Sequence, residues 1–383
     1  MSRSATFEAP SNIALVKYWG VRDEARMLPF NSSLSVTLEG VHTRTTVDFD
    51  PDQRRDEFRL NGESVTGLPY EAVVSFLDRV RARAGIHTKA RVDSRNNFPT
   101  ASGLASSASG FAALAGAASY AAGLSLPSRE LADLARMGSG SAGRSMFGGF
   151  VEWHAGSLAN GSDCFVRQVL PETHWPDLVD VIAIIADAPT KKVRSARAMQ
   201  TSVATAPNYH DRVQSVPGRL AEIRRAIRQR DTARLFPLVM AECDDFRAVC
   251  EASVPSLDYL TSTSRSVLQA VRDLNRSAPE PVAAYTHDAG AHVHVFTLRR
   301  DRDRVLATLQ RTPGVKEFLT VGAGAGARLI GVSDGEALVP AGGGLPSASG
   351  EGQSTPRARS DLGPPTRPKR TLGRTRGVPR SGM

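Results

Sequence analysis

The stretch at 97–110, NFPTASGLASSASG, does more than any other to limit what this chain folds into. Small residues dominate it, and it runs directly into an alanine-rich segment with helical periodicity at 107–122. Such a loop exposes consecutive backbone N–H groups beside a helix N-terminus. Unpaired donors and the positive end of the helix dipole together bind phosphate there. Ser102, Ser106, Ser107 and Ser109 add hydroxyls that donate to phosphate or ligate magnesium. No Gly-Lys-Ser/Thr follows, so the loop is not of the Walker A type. Small residues also permit close helix packing, and taken alone the stretch leaves both readings open.

The remainder reads as mixed α/β. Strands are expected at 43–49, 90–93 and 149–154, with a buried strand in the apolar run VDVIAIIA at 179–186. A strand pair is expected at 282–286 and 292–298, around the turn Asp288-Ala289-Gly290. Helical periodicity marks 70–84, 107–122, 130–137, 219–230 and 232–250, with Ser128 expected as an N-cap and Gly123 as a helix stop. The Pro-containing stretch at 171–177 suggests a domain boundary near 172–180.

Composition narrows the function classes. Residues 340–383 carry eight Arg or Lys against two acids, which is +6 of the formal +9, so the body is close to balanced. That tail is rich in Gly, Pro, Ser and Arg and is expected to be disordered. No nucleic-acid module is recognisable in 1–335, so a nucleic-acid partner is not expected. No apolar run of membrane length and no secretory leader is read, and a cytoplasmic location is expected. Cys164, Cys243 and Cys250 are odd in number and fit no zinc spacing, so free, buried thiols are expected.

Four segments in order carry a resemblance. APSNIALVKYWG at 9–20, with LPFNSSLSVTL at 28–38, is similar to the N-terminus of mevalonate diphosphate decarboxylases. GLASSA at 103–108 looks like the phosphate loop of the small-molecule kinase superfamily of galactokinase, homoserine kinase, mevalonate kinase and phosphomevalonate kinase. RMGSGSAGRSMFGGFVEW at 136–153 and YTHDAG at 285–290 again resemble the decarboxylases. The resemblance implies a two-lobed α/β (α+β) small-molecule kinase fold. Its ribosomal-protein-S5-like N-terminal half would cover 1–178, and a ferredoxin-like C-terminal half would cover 179–335. It also implies ATP with Mg2+ as cofactors, a small-molecule substrate and a homodimer.

The implied reaction phosphorylates a tertiary 3-hydroxyl, then expels phosphate and carbon dioxide to leave an alkene. Asp288 matches the family's catalytic aspartate, and a carboxylate is useful beside the proton of so poor a nucleophile. Alone, an aspartate before Ala-Gly is as readily a turn former. Lys17 matches the catalytic lysine, able to pair with Asp288 and neutralise phosphate charge in transit. Arg144 matches the arginine that holds the substrate carboxylate, for which a bidentate fork is suited. Asn12, Tyr18, Ser139, Ser141 and Ser195 are implied substrate-side residues, Asn12 orienting Arg144 or the nucleotide. Ser102, Gly103, Leu104, Ala105, Ser106 and Ser107 are implied for ATP, with Ser106 or Ser107 on its magnesium.

Three departures shape the expected substrate. Val21 stands where the family has a lysine facing the substrate diphosphate. Lys191-Lys192-Val193-Arg194-Ser195-Ala196 aligns without a gap and puts Ala196 at an arginine facing the same group. A hydrogen bond to a charged partner contributes roughly 1.5–3 kcal/mol, so losing both weakens diphosphate binding unless Arg194, Arg197, Lys191 or Lys192 compensates. The expectation therefore favours mevalonate 5-phosphate, giving isopentenyl phosphate, over mevalonate 5-diphosphate, giving isopentenyl diphosphate. A mevalonate kinase without decarboxylation is the remote alternative, disfavoured by retention of both Lys17 and Asp288. Third, His287 replaces a commonly apolar residue. His292 and His294 share a strand face but lack a carboxylate or cysteine partner, and no protein metal cluster is expected.

Overall fold

The structure is a computed structural model and describes residues 3–98, 106–186, 194–333 and 339–340. The tail expectation and the loop residues Ser102, Gly103, Leu104 and Ala105 lie outside these, as do Lys191 and Lys192.

Two strands organise the N-terminal part. β1 (Arg3–Val16) and β4 (Ser33–Phe49) pair antiparallel along nearly their whole length. Their register shifts at Pro10–Asn12, where proline cannot donate to the ladder. On one side β1 pairs β14 (Arg328–Ser333), which pairs β15 (Val339–Pro340). On the other, β4 pairs β7 (Ala90–Asn96), then β5 (Glu57–Leu60) and β6 (Glu63–Ser64) follow. β4 also pairs β8 (Phe150–His154), which pairs β9 (Phe165–Leu170). A small ribbon, β2 (Val21–Asp23) with β3 (Leu28–Pro29), connects β1 to β4.

α1 (Leu68–Ala84), α2 (Ser106–Ala121) and α3 (Ser128–Gly138) enclose an apolar core with this sheet. The small residues of α2 allow the closest contact. A Cβ on Gly116 would lie 2.3 Å from the ring of Phe7 on β1. Gly123 ends α2 at φ +82°, as expected of a helix stop. Ser128 is a correction: Pro127 occupies the N-cap position without a side-chain cap bond, and Ser128 is already helical.

The C-terminal part holds a second, antiparallel sheet in the order β11 (Ala283–Thr286), β12 (Val293–Leu298), β10 (Leu178–Ile185), β13 (Val315–Val321). Every residue of β10 is buried, as its continuous apolar run requires. α5 (Tyr209–Gln229) and α6 (Thr232–Ala252) fill the space between the two sheets, where Leu15, Leu34, Phe150, Ile182 and Phe236 meet. α7 (Ser262–Arg276) and α8 (Arg302–Leu309) cover the far face. α7 starts at a capping box between Thr261 and Ser264. α4 (Ser195–Thr205) lies with Trp19 and Tyr209 in a fourth apolar cluster. The described residues form one compact unit.

Candidate active site

β1 delivers its last residues to the seam between the sheets. Lys17 follows directly and is 2% exposed. Its ammonium is therefore held inside the protein and not solvated at the strand end. Lys17 Nζ donates to the Ala14 carbonyl at 2.7 Å and to Asp288 Oδ1 at 2.8 Å. Asp288 sits just past β11, in the turn closed by Gly290 N–H donating to the Asp288 carbonyl at 2.7 Å. Its side chain is 27% exposed and so can be reached from solvent. Burial pushes its pKa up, but the charges of Lys17, His294 and Arg144 outweigh this and hold the carboxyl below its usual range.

Arg144 lies in the 3-10 turn Gly140–Met146 and is 2% exposed. Its guanidinium donates to Ser33 Oγ at 2.6 Å, to Ser35 Oγ at 3.0 Å and to Asn12 Oδ1 at 3.3 and 3.4 Å. All those acceptors are neutral. Among the described residues no carboxylate pairs with Arg144. Burial lowers its pKa to about 10, opposed by Asp288 and Tyr18. Asn12 is fixed in turn, its amide donating to Ser145 Oγ at 2.8 Å and the Ser141 carbonyl at 3.4 Å. Asn12 is thus a fixed hydrogen-bond acceptor for Arg144.

Lys17, Asp288, Arg144 and Asn12 come together as the sequence motifs implied. Ser33, Ser35 and Ser145 were missed. The signal for the first two was their spacing of two on a strand, which puts both on the face that meets Arg144. Tyr18 packs its ring 4.8 Å from Trp153 and against Gly140, where a Cβ would lie 2.7 Å from the Tyr18 ring. Burial raises the Tyr18 pKa. Ser141 contributes its carbonyl to Asn12, and Ser139 Oγ lies 3.4 Å from Ser107 Oγ.

Ser106 and Ser107 open α2 and line a cavity of about 230 Å³. Phe58, Leu60, Val92 and Phe111 supply apolar walls, and Arg194 borders it from the start of α4. Of the proposed replacements for the missing cations, Arg194 thus faces the cavity beside α2. Ser195 is the first residue of α4, Ala196 is exposed on that helix, and Val21 begins β2.

The three histidines are all 1% exposed. His287 has Nδ1 2.8 Å from the Asp288 carbonyl, and burial lowers its pKa to about 4. His292 Nδ1 accepts from Ile185 N–H at 3.1 Å; burial, then His294, lowers its pKa to about 4. His294 Nδ1 meets Asp180 Oδ2 at 2.6 Å, which corrects the expectation that it lacks a carboxylate partner. Among the described residues no group of three metal-ligating side chains forms. The three cysteines are free and buried. Among the described residues no helix is long and apolar enough to cross a membrane.

A Lys–Asp pair at the seam of this two-sheet architecture, with a serine-started helix bordering a cavity, is the arrangement of the small-molecule kinase class. Comparisons with known proteins narrow that class. The family model "Diphosphomevalonate decarboxylase-like N-terminal domain" matches residues 9–166, and "Mevalonate 5-diphosphate decarboxylase C-terminal domain" matches 181–322. The diphosphomevalonate decarboxylase of Rattus norvegicus is 42% identical over 309 residues, covering 76% of each chain. That of Candida albicans is 39% identical over 334 residues, covering 83% of this chain and 91% of its own. The crystal structure of mevalonate diphosphate decarboxylase from Staphylococcus aureus matches with a TM-score of 0.80 at 35% identity, covering 86% of this chain and 98% of that one. A structure of MDDEF in complex with MVAPP, AMPPCP and magnesium matches with a TM-score of 0.79 at 36% identity, covering 86% and 99%. The chain belongs to the diphosphomevalonate decarboxylase family, which are ATP-dependent carboxy-lyases.

Proposed function

We propose that the chain converts mevalonate 5-diphosphate to isopentenyl diphosphate, using ATP with Mg2+ and releasing ADP, phosphate and carbon dioxide. The observation that carries this reading is the Lys17–Asp288 pair at 2.8 Å beside the carboxylate-free Arg144. The names of the relatives and the ligands of MDDEF support the diphosphate over the monophosphate, so the expected preference for mevalonate 5-phosphate gives way.

In this reading Asp288, held ionised by Lys17, accepts the proton of the 3-hydroxyl as its oxygen attacks the terminal phosphoryl group of ATP. Lys17 offsets the charge of the moving phosphoryl group. That attack makes an O–P bond; the original C3–O bond then breaks, its electron pair leaving with the phosphate. The carboxylate of the substrate, paired with Arg144, releases carbon dioxide, and its C–C electrons form the alkene. Asn12, Ser33 and Ser35 keep the guanidinium aimed. The donor set at α2 fits a magnesium nucleotide: Ser106 and Ser107 offer hydroxyls at a helix N-terminus, and the apolar walls beyond suit a planar base. Bound magnesium would supply phosphate charge neutralisation there. Tyr18, Ser139, Ser141 and Ser195 complete the substrate side.

The monophosphate remains a second reading because Val21 and Ala196 withhold two cations. A coupled ADP-release assay with both substrates side by side separates them. The proposal expects higher kcat/KM with the diphosphate; a higher value with the monophosphate overturns it. The same reading expects a cytoplasmic homodimer, checked by light scattering for the dimer.

A further inference from the structure

A second group of charges lies directly behind Lys17, and the reaction above gives it no task. Glu242 on α6 is 0% exposed and Arg212 on α5 is 3% exposed. Glu242 Oε1 accepts the Lys17 backbone N–H at 2.9 Å and Arg212 Nη2 at 2.5 Å. The same Arg212 nitrogen reaches the Lys17 carbonyl at 3.4 Å, which also accepts from Asn31 Nδ2 at 2.9 Å. Arg212 Nη1 donates to Asp245 Oδ2 at 3.0 Å, and Arg219 bonds both Glu242 and Asp245. Two acids face two guanidiniums, so the group is neutral.

Burying the charges of Arg212 and Glu242 costs several kcal/mol per ion, and apolar side chains in their place often leave a protein as stable or more so. Their burial therefore calls for something hydrocarbon cannot supply. Here that is the grip on one peptide unit. Both polar groups of Lys17's backbone are held by side chains, two of them from helices of the C-terminal part.

We propose that Glu242 and Arg212 are positioning residues for Lys17, fixing its backbone so that its ammonium is presented to Asp288 in one orientation. This inference rests on the decarboxylase reading. The groups facing Asp288 are Lys17 after β1, Arg144 in the 3-10 turn and His294 on β12, which is paired with Asp180. His287 adjoins it in sequence. Of these, Lys17 alone is held by Glu242 and Arg212. When that hold loosens, the ammonium's effect weakens and burial moves Asp288 upward. Asp288 works as the base when ionised, so the acid limb of kcat/KM moves to higher pH.

The test uses the full-length chain and the double variant Glu242→Gln/Arg212→Gln, which removes one charge of each sign. Arg81→Gln is the control; it breaks a buried ion pair, Arg81 to Asp56 at 3.0 Å, away from Lys17. ADP and carbon dioxide release are read against pH, with KM for both substrates and the thermal midpoint. The double variant is expected to lose on the order of 100-fold in kcat, to keep its KM values within a few-fold and to shift the acid limb upward. Arg81→Gln is expected to lower the midpoint alone. A folded double variant with wild-type kcat and acid limb overturns the inference, as does an equal limb shift in the control. Should the double variant not fold, Arg212→Lys, which keeps the charge but not the forked donors, is read against the same outcomes. A wild-type chain that releases neither ADP nor carbon dioxide fails the decarboxylase reading; an active wild type with an unmoved variant fails this inference alone.

Discussion

Two groups of charges meet at Lys17, and they differ in one respect. Behind it, Arg212, Arg219, Glu242 and Asp245 cancel and have their partners within the protein. In front of it, Lys17 and Asp288 cancel, but among the described residues Arg144 hydrogen-bonds only neutral oxygens. The closed group holds a backbone; the open one is a cation short of its anion. A buried guanidinium left so is costly to the free protein, and in the proposed reaction the carboxylate of the substrate completes it.

The contrast breaks first at Asp288. Asp288→Asn keeps the shape but cannot take a proton, and kcat is expected to fall by roughly 10²–10⁴, read by ADP release. A smaller loss means the proton leaves by another route. Arg144→Met comes next. It removes the unmatched cation, and KM for the mevalonate substrate is expected to rise by about 10–100-fold, equivalent to roughly 1.5–3 kcal/mol. KM for ATP should change little. If KM for ATP rises equally, Arg144 is not a carboxylate site.

The open side is sharpened by adding charge. Val21→Lys with Ala196→Arg restores two cations, and Kd for the diphosphate is expected to tighten by about tenfold, measured by calorimetry. No change would mean that neither position faces the substrate's terminal phosphate. The smallest effect concerns His287. Its folded pKa of about 4 lies below the ordinary 6.5, so the unfolded chain takes up a proton first as pH falls. Stability is then lost progressively from about pH 6.5 down to 4. His287→Phe should recover about 1 kcal/mol of that loss at pH 5.5, seen as a shallower dependence of the thermal midpoint on pH.

The open group was legible in the sequence because each member sits in a short motif that carries the family resemblance. Lys17 stands in VKYWG, Arg144 in GSAGRS and Asp288 in DAG. The closed group was not. Arg212 and Glu242 lie 195 and 225 residues from Lys17, on helices whose periodicity reports burial but not partners. Arg212 also falls in the half of α5 ahead of Pro217, which reads as a breaker and concealed that half. β1 was hidden likewise by Pro10, which the chain accommodates at a register shift. β10, in contrast, is a run of eight buried residues and announced itself. His294 looked partnerless because Asp180 lies on the neighbouring strand β10, 114 residues away.

The most direct measurement is the ratio of carbon dioxide to ADP released from mevalonate 5-diphosphate with carbon label in its carboxylate. With Asp288 and Lys17 driving phosphorylation and Arg144 holding the group that leaves, the two products should appear one for one, and both should vanish together in Asp288→Asn. ADP accumulating without labelled gas, or carbon dioxide persisting in that variant, would contradict the account.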